Sequence, residues 1–399
     1  MKRNKTLSVL TALALALTLL PAAALADGGW TNAATADALV AALAAGGNVR
    51  LSANVTLGAD HWPAVGEGKT ATLDLNGHTL TSVNDISVYG ALTLTDGGSG
   101  GRFVFSNEAN PNYGIYVSYG GKLTMSGGTI SGFIYGVGLF NNDERRGSFT
   151  MTGGAITGCD TGVSLDEGST FTMTGGRISD NSYGVSVGSG AAFTMTGGRI
   201  SDNAWGVSVG SGAFSVSGEP VVSGNRDDYG TARDVFLGDT AIRVTGKLGA
   251  GASLGVHSET DGFTAAQAVD YNGGKLTAAD AAKFFSDSSR WNLRLADNGT
   301  LTLAEAPAYI EGYFYVAEGE EYDGLATLNY SAKLPADANT LVIAAAYDAE
   351  GRLLEVQTDD RNAIDGGFVL PHAEGYTYRL MLADGGTFAP LCPAWRGQP

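Results

Sequence analysis

The chain has 399 residues, 59 of them Gly and two of them Cys, and a formal charge of −17. Acidity of this strength repels nucleic acid and anionic membrane surfaces, so neither is an expected partner, and so few cysteines in so long a chain exclude a disulfide-stapled scaffold. There is no CxxC or HExxH spacing and the four His are scattered, so no metal site and no cofactor is expected.

Residues 1–26 read as a secretory signal peptide. Lys2, Arg3 and Lys5 make a basic start, an apolar run extends from Leu7 to Leu20, and Pro21 precedes a small-residue end, Ala24-Leu25-Ala26, with cleavage expected after Ala26. The run is shorter than the ~20 residues of a membrane span; a retained anchor is the alternative. Cleavage removes three basic residues and no acid, taking the formal charge to −20. The mature chain is therefore expected to be secreted, extracellular or cell-surface associated, with no membrane insertion. Its acidity serves solubility, and calcium binding is the sharper alternative.

Residues 27–47 hold "ATADALVAALAAGG" (Ala34–Gly47), whose helical apolar spacing and Gly stop predict a helix. It would cap the open end of the strand array that begins at residue 48, because an exposed strand edge invites aggregation.

Residues 48–305 are built on a repeat. "FTMTGGRISDN" occurs at Phe171–Asn181 and Phe193–Asn203, with a near copy, "FTMTGGAITGC", at Phe149–Cys159. Phe149, Phe171 and Phe193 are 22 residues apart, and Phe214 comes after a further 21. Leu123, Leu92 and Leu73 begin looser copies upstream. Apolar residues alternate over short runs broken by Gly pairs, which predicts three short strands and three turns per unit. Such a unit cannot bury its own apolar face and must stack on its copies. The expected fold is all-β: a right-handed, single-stranded parallel β-helix. Phe, Met, Ile and Val columns would fill it, Met as core filler. Gly153-Gly154 and its repeats would turn one corner. Asn181 and Asn203 would form a ladder at another, with Cys159 as a buried spacer in the same slot. Beyond Phe214 the repeat decays. There Thr277 and Asp280 cap a short helix in "TAADAAKFFSDS", and Asp297-Asn298-Gly299 joins a strand pair.

Residues 306–399 obey another grammar. Gly falls away and strands lengthen, as in "YIEGYFYV" and "TLVIAAAYDAEGRLLEVQTDD", where Asp348–Gly351 makes a hairpin turn. Several alternating strands in roughly ninety residues predict a C-terminal immunoglobulin-like β-sandwich without the Cys-Trp-Cys set.

"GGTISG" at Gly127–Gly132, the "TMTGGRISDN" coils and "LDLNGHTLT" at Leu73–Thr81 resemble the bacterial secreted β-helix proteins with GGTISGN-type repeats, a class with the pectate-lyase-like fold common in surface proteins of Gram-positive gut-type bacteria. "DVFLGDTAIRVTGKLGAGASLGV" resembles the closing coils of that class, and "VIAAAYDAEGRLLEV" with "FAPLCPAW" resembles a β-domain often appended to it. The resemblance implies a fold and not an activity, because these repeats are scaffolding.

Three GxSxG matches occur, at Gly184–Gly188, Gly206–Gly210 and Gly251–Gly255, but Ser186 and Ser208 fall mid-strand, where a nucleophile elbow cannot form. Arg177 and Arg199 beside Asp180 and Asp202 read as an exposed ion-pair ladder. Asp227-Asp228 and Asp359-Asp360 could serve as acid and base, though loop-like sequence favours solvated turn acids. The candidate site is instead a column: Tyr113, Tyr135, Thr161, Tyr183 and Trp205 stand just before a Gly-Val or Gly-Ile strand entry, aromatic in four of five coils. Exposed aromatic faces on a rigid platform can stack on sugar rings; the alternative is that they only stack on each other. These readings point to a non-enzymatic, adhesin-like binding protein whose partner is a glycan or another host or cell-surface polymer. A polysaccharide lyase or glycoside hydrolase with its site in the insertions Gly97–Asn112 or Phe140–Gly147 is the first alternative. A purely structural module of a surface assembly is the second. Oligomeric state is not legible.

Overall fold

A computed structural model describes residues 29–106, 113–140, 145–227, 230–257, 262–315, 324–335, 339–360 and 365–397. The expected signal peptide lies outside the described residues. Each unit makes three short strands, for instance Thr170–Met173, Arg177–Ser179 and Tyr183–Val187. Each strand pairs in parallel with its counterpart in the next unit. Phe149, Phe171 and Phe193 are in register on the first sheet, Ile156, Ile178 and Ile200 on the second, and Val163, Val185 and Val207 on the third. The result is a parallel β-helix whose core is the set of columns that the alternation predicts.

The strand spacing of ~4.8 Å also sets the ring spacing. Phe149, Phe171, Phe193 and Phe214 stack with centroids 4.7, 4.7 and 4.9 Å apart and planes within 12°. The paired glycines at the corner have two separate reasons. A Cβ on Gly153 would lie 2.5 Å from the Ser126 carbonyl of the preceding coil, so close approach excludes a side chain there. Gly154 has φ +80°, a left-handed backbone. At the next corner Gly132, Gly158, Asp180, Asp202 and Gly224 all have positive φ. Asp is among the few side chains that tolerate it, which explains why the middle residue of this corner is only Gly or Asp, as in "TGC", "SDN" and "SGN".

The ends are closed differently. At the N-terminal end Trp30–Ala33 pairs in parallel with Gly47–Leu51, and the helix Ala36–Ala45 lies between these two strands. Residues 27–47 thus hold a strand as well as the expected helix; four residues of "WTNA" are too few to show an alternation. Thr35 accepts from the Ala38 N–H at 3.3 Å as N-cap, and Leu39 and Leu43 are buried. At the other end Thr277 and Asp280 form a capping box over a single turn, Ala278–Ala281. Phe284–Ser286, expected to continue that helix, is instead a strand of the second sheet. The antiparallel hairpin Trp291–Leu295 and Leu301–Glu305 then covers the last parallel strand of the first sheet, Thr264–Ala268.

Among the described residues of the C-terminal part, seven strands form two antiparallel sheets around one core. Tyr309–Tyr315, Leu325–Lys333 and Asp365–Pro371 make the first; Leu353–Asp359, Thr340–Tyr347, Thr377–Asp384 and Trp395–Gly397 make the second. In a constant-type immunoglobulin domain the fourth strand joins the first, second and fifth. Here it pairs with the third, because the tight turn Asp348–Gly351 folds it straight back. The buried Tyr378 hydroxyl donates to the Pro371 carbonyl at 2.7 Å, a tyrosine corner of the kind such sandwiches use.

Candidate functional site

The third sheet brings the predicted column together. Tyr113, Tyr135, Thr161, Tyr183 and Trp205 are in register across five coils. Thr161 is buried and splits the column into two aromatic groups.

In the first group Tyr113 stacks on Tyr135, centroids 5.1 Å apart and planes 22° apart. Phe140 folds back across the flank to meet Tyr113 edge-on at 4.9 Å and to stack on Tyr116 at 5.6 Å. Gly138 makes this possible: a Cβ there would lie 2.5 Å from Phe140 Cε2. These rings largely satisfy each other, and Tyr113 and Tyr135 are half-buried.

The second group is more open. Tyr183 and Trp205 stack at 6.0 Å with planes 17° apart, and Tyr183 is 39% exposed. Trp205 is braced from behind. The Arg233 guanidinium lies 4.5 Å from its ring centroid, and Phe236 meets it edge-on at 5.5 Å. Beside the second group the flank is floored by half-buried Ser164, Ser186 and Ser208, which stand in register on the Thr161, Tyr183 and Trp205 strands. The two elbow serines are thus mid-strand, far from any strand-to-helix turn. Tyr116, Phe140, Arg233 and Phe236 escape the sequence reading. Tyr116 and Phe236 had a signal, since both fall in the column of Ser164, Ser186 and Ser208.

Other candidates resolve into structural roles. Arg177 donates to Asp202 of the next coil at 2.7 Å, a diagonal pair that is about half exposed and of little energetic weight. Asp227 pairs with Arg233 at 3.2 Å; Asp228 lies outside the described residues. Asp359, expected in a loop, ends a strand, where the Tyr330 hydroxyl donates to it at 3.0 Å. Residues 107–112 and 141–144 of the two insertions lie outside the described residues. Cys159 is buried and unbonded to Cys392, and burial pushes its thiol up to about 11, so no reactive thiolate forms.

The corner ladder continues further than the sequence suggested. Asn181 Oδ1 accepts from the Cys159 N–H, and Asn203 Oδ1 accepts from both the backbone N–H and Nδ2 of Asn181. Asn225 Oδ1 does the same for Asn203, and Asp234 Oδ1 the same for Asn225. Asp234 then donates its own N–H to Asp287 Oδ2 at 2.6 Å. Burial pushes both carboxyls up. Asp287 rises well above the ordinary range, since the Asp234 charge adds to its desolvation. The pair therefore keeps a proton at pH values where ordinary carboxyls have lost theirs.

That retained proton makes stability depend on pH. A carboxyl with a raised folded-state pKa stabilises the fold fully below its unfolded value of ~3.9, and that contribution fades as pH rises through the folded value. Urea unfolding of the wild type should therefore show a stability loss, starting above about pH 4 and continuing through the raised Asp287 value, that Asp287→Asn lacks. Parallel pH profiles for the two proteins would refute a proton-sharing pair.

Asp287 also lines a 630 Å³ cleft between the last coils and the C-terminal sheets. His257 lines it too. Arg233 Nη1 donates to His257 Nε2 at 2.6 Å, and burial, with that guanidinium, lowers the imidazole to about 4. The ring is thus neutral and carries its proton on Nδ1. Among the described residues no helix is long and apolar enough to cross a membrane.

Residues 76–245 match a family described as a right handed beta helix region. No curated protein and no solved structure matches the chain.

Proposed function

We propose that this chain is a secreted or cell-surface binding protein that holds a glycan or similar polymer along the third-sheet flank and does no chemistry on it. The observation that carries the reading is the stacked Tyr183–Trp205 pair, open on one side and braced by Arg233 and Phe236 on the other. Rings fixed in this way lose little freedom on binding, and their apolar faces suit the C–H faces of sugars. The serine floor beside them offers hydroxyls to a polyhydroxylated ligand. Strand-borne side chains also hold position better than loop-borne ones.

The test is a glycan array and a polysaccharide-cleavage screen on the same preparation. Tyr183→Ala, and the double variant with Trp205→Ala, should bind an array hit about tenfold or more weakly, given ~0.5–1.5 kcal/mol per aromatic contact beyond area burial. Circular dichroism should be unchanged. Tyr183→Ala is the cleaner probe because it is the exposed ring. Unaltered binding in both variants would remove the platform. Release of unsaturated or reducing ends would replace the reading with a polysaccharide-cleaving enzyme.

A further inference from the structure

The cleft between the last coils and the C-terminal sheets adjoins the flank at Arg233, which also lies over Trp205, but neither Tyr183 nor Trp205 lines it. Its lining carries four arginines, Arg226, Arg233, Arg290 and Arg396, against two acids, Asp287 and Glu311, in a chain of formal charge −17. The arginines come from separate elements. Arg226 and Arg233 frame the loop between the second- and third-sheet strands Val221–Val222 and Val235–Leu237. Arg290 precedes the strand Trp291–Leu295, and Arg396 sits in the last strand, Trp395–Gly397. Trp291, Tyr313 and Trp395 supply apolar wall between them.

Each acid already accepts a hydrogen bond, although Asp287 Oδ1 has no partner among the described residues. Ser288 donates its hydroxyl to Glu311, and Asp287 Oδ2 accepts from Asp234. Two buried donors on the lining lack hydrogen-bond partners among the described residues: His257 Nδ1 and Arg290 Nε, the latter 3.6 Å from Glu305. A buried unmatched donor is costly and is ordinarily satisfied. Arg396 is exposed, and its guanidinium has no partner among the described residues.

We infer that this cleft binds a tetrahedral oxyanion, a sulfate or phosphate ester, carried on a ring-bearing ligand that packs against Tyr313 and Trp395. A planar carboxylate is served by one arginine fork. Guanidinium groups arriving from several elements suit an anion whose oxygens point in several directions. The neutral imidazole adds a donor, and the exposed Tyr313 with the half-buried Trp395 accommodates the ring.

The test is calorimetry on the full chain with three probes: a sulfated heparin-derived tetrasaccharide, the same tetrasaccharide fully desulfated, and a tetrasaccharide bearing phosphate monoesters in place of the sulfates. At least one anionic probe should bind, with affinity falling as salt rises, while the desulfated sugar does not. Whichever anionic probe binds more tightly identifies the ester. Arg396→Gln, at an exposed position that does not threaten folding, and Arg290→Gln should each weaken binding about tenfold, as loss of a charge-assisted hydrogen bond implies. Tyr183→Ala should leave this binding intact, which separates it from the flank. Equal binding of sulfated and desulfated sugar, no binding of either anion, wild-type affinity in both arginine variants, or loss in Tyr183→Ala would each overturn the inference.

Discussion

Asn203→Ala is expected to destabilise the protein by about 3–5 kcal/mol, far more than its small loss of volume explains. Asn203 is 1% exposed and sits mid-ladder. Its Oδ1 accepts from Asn181 N and Nδ2, and its Nδ2 donates to Asn225 Oδ1, Ile178 O and Ser201 O. Truncation strips two donors and three acceptors of a partner in a site closed to water. Each orphaned group costs about 1–3 kcal/mol, moderated where a second bond remains. The ladder is also directional. Every amide donates towards the C-terminal end, so the last rung must be a pure acceptor. Asp234 meets that need, and Cys159, whose backbone N–H alone starts the chain, needs no polar side chain. Urea unfolding of Asn203→Ala beside Thr172→Ala, an outward-facing control, measures the effect. A cost below about 1 kcal/mol would show that the ladder bonds are replaceable.

The ladder marks where the sequence stops being readable. Columns at Phe171, Met173, Ile178 and Val185 are legible because a period of 22 and an alternation of two overlay each other. Asn225 keeps that period after Asn203, yet its flanks, "VVSGNRDD", no longer repeat, so the rung is hidden. Asp234 has no period at all. It reaches the ladder through the loop after Asn225, and its partner Asp287 is 53 residues further on. The aromatic column was legible as a line of positions. Its division into a self-satisfied group and an open one was not, because Phe140, Phe236 and Arg233 decide it from outside the repeat. The arginine cleft is the extreme case. Arg226, Arg290 and Arg396 share neither motif nor spacing, and only the contact between the solenoid end and the C-terminal sheets assembles them.

Phe171→Ala is expected to cost about 3–5 kcal/mol, the range for emptying a fully buried aromatic position. Phe171 lies between Phe149 and Phe193, both at 4.7 Å and nearly coplanar, in a core packed by strands that cannot close inward without breaking register. A double-mutant cycle of Phe171 with Phe193 should give a coupling of about 0.5–1.5 kcal/mol, whereas Phe149 with Phe193, which do not touch, should add independently. Coupling across that gap would contradict a solenoid in which each coil feels only its neighbours. The same variant separates scaffold from site. Phe171 and Tyr183 belong to one coil but face opposite ways, one into the core and one onto the flank. Below its own unfolding transition, Phe171→Ala should keep the glycan affinity of the wild type while losing stability, and Tyr183→Ala should do the reverse. Melting curves and titrations on the two proteins give all four numbers, and a flank affinity that tracks the core substitution would mean that core packing sets the ring positions.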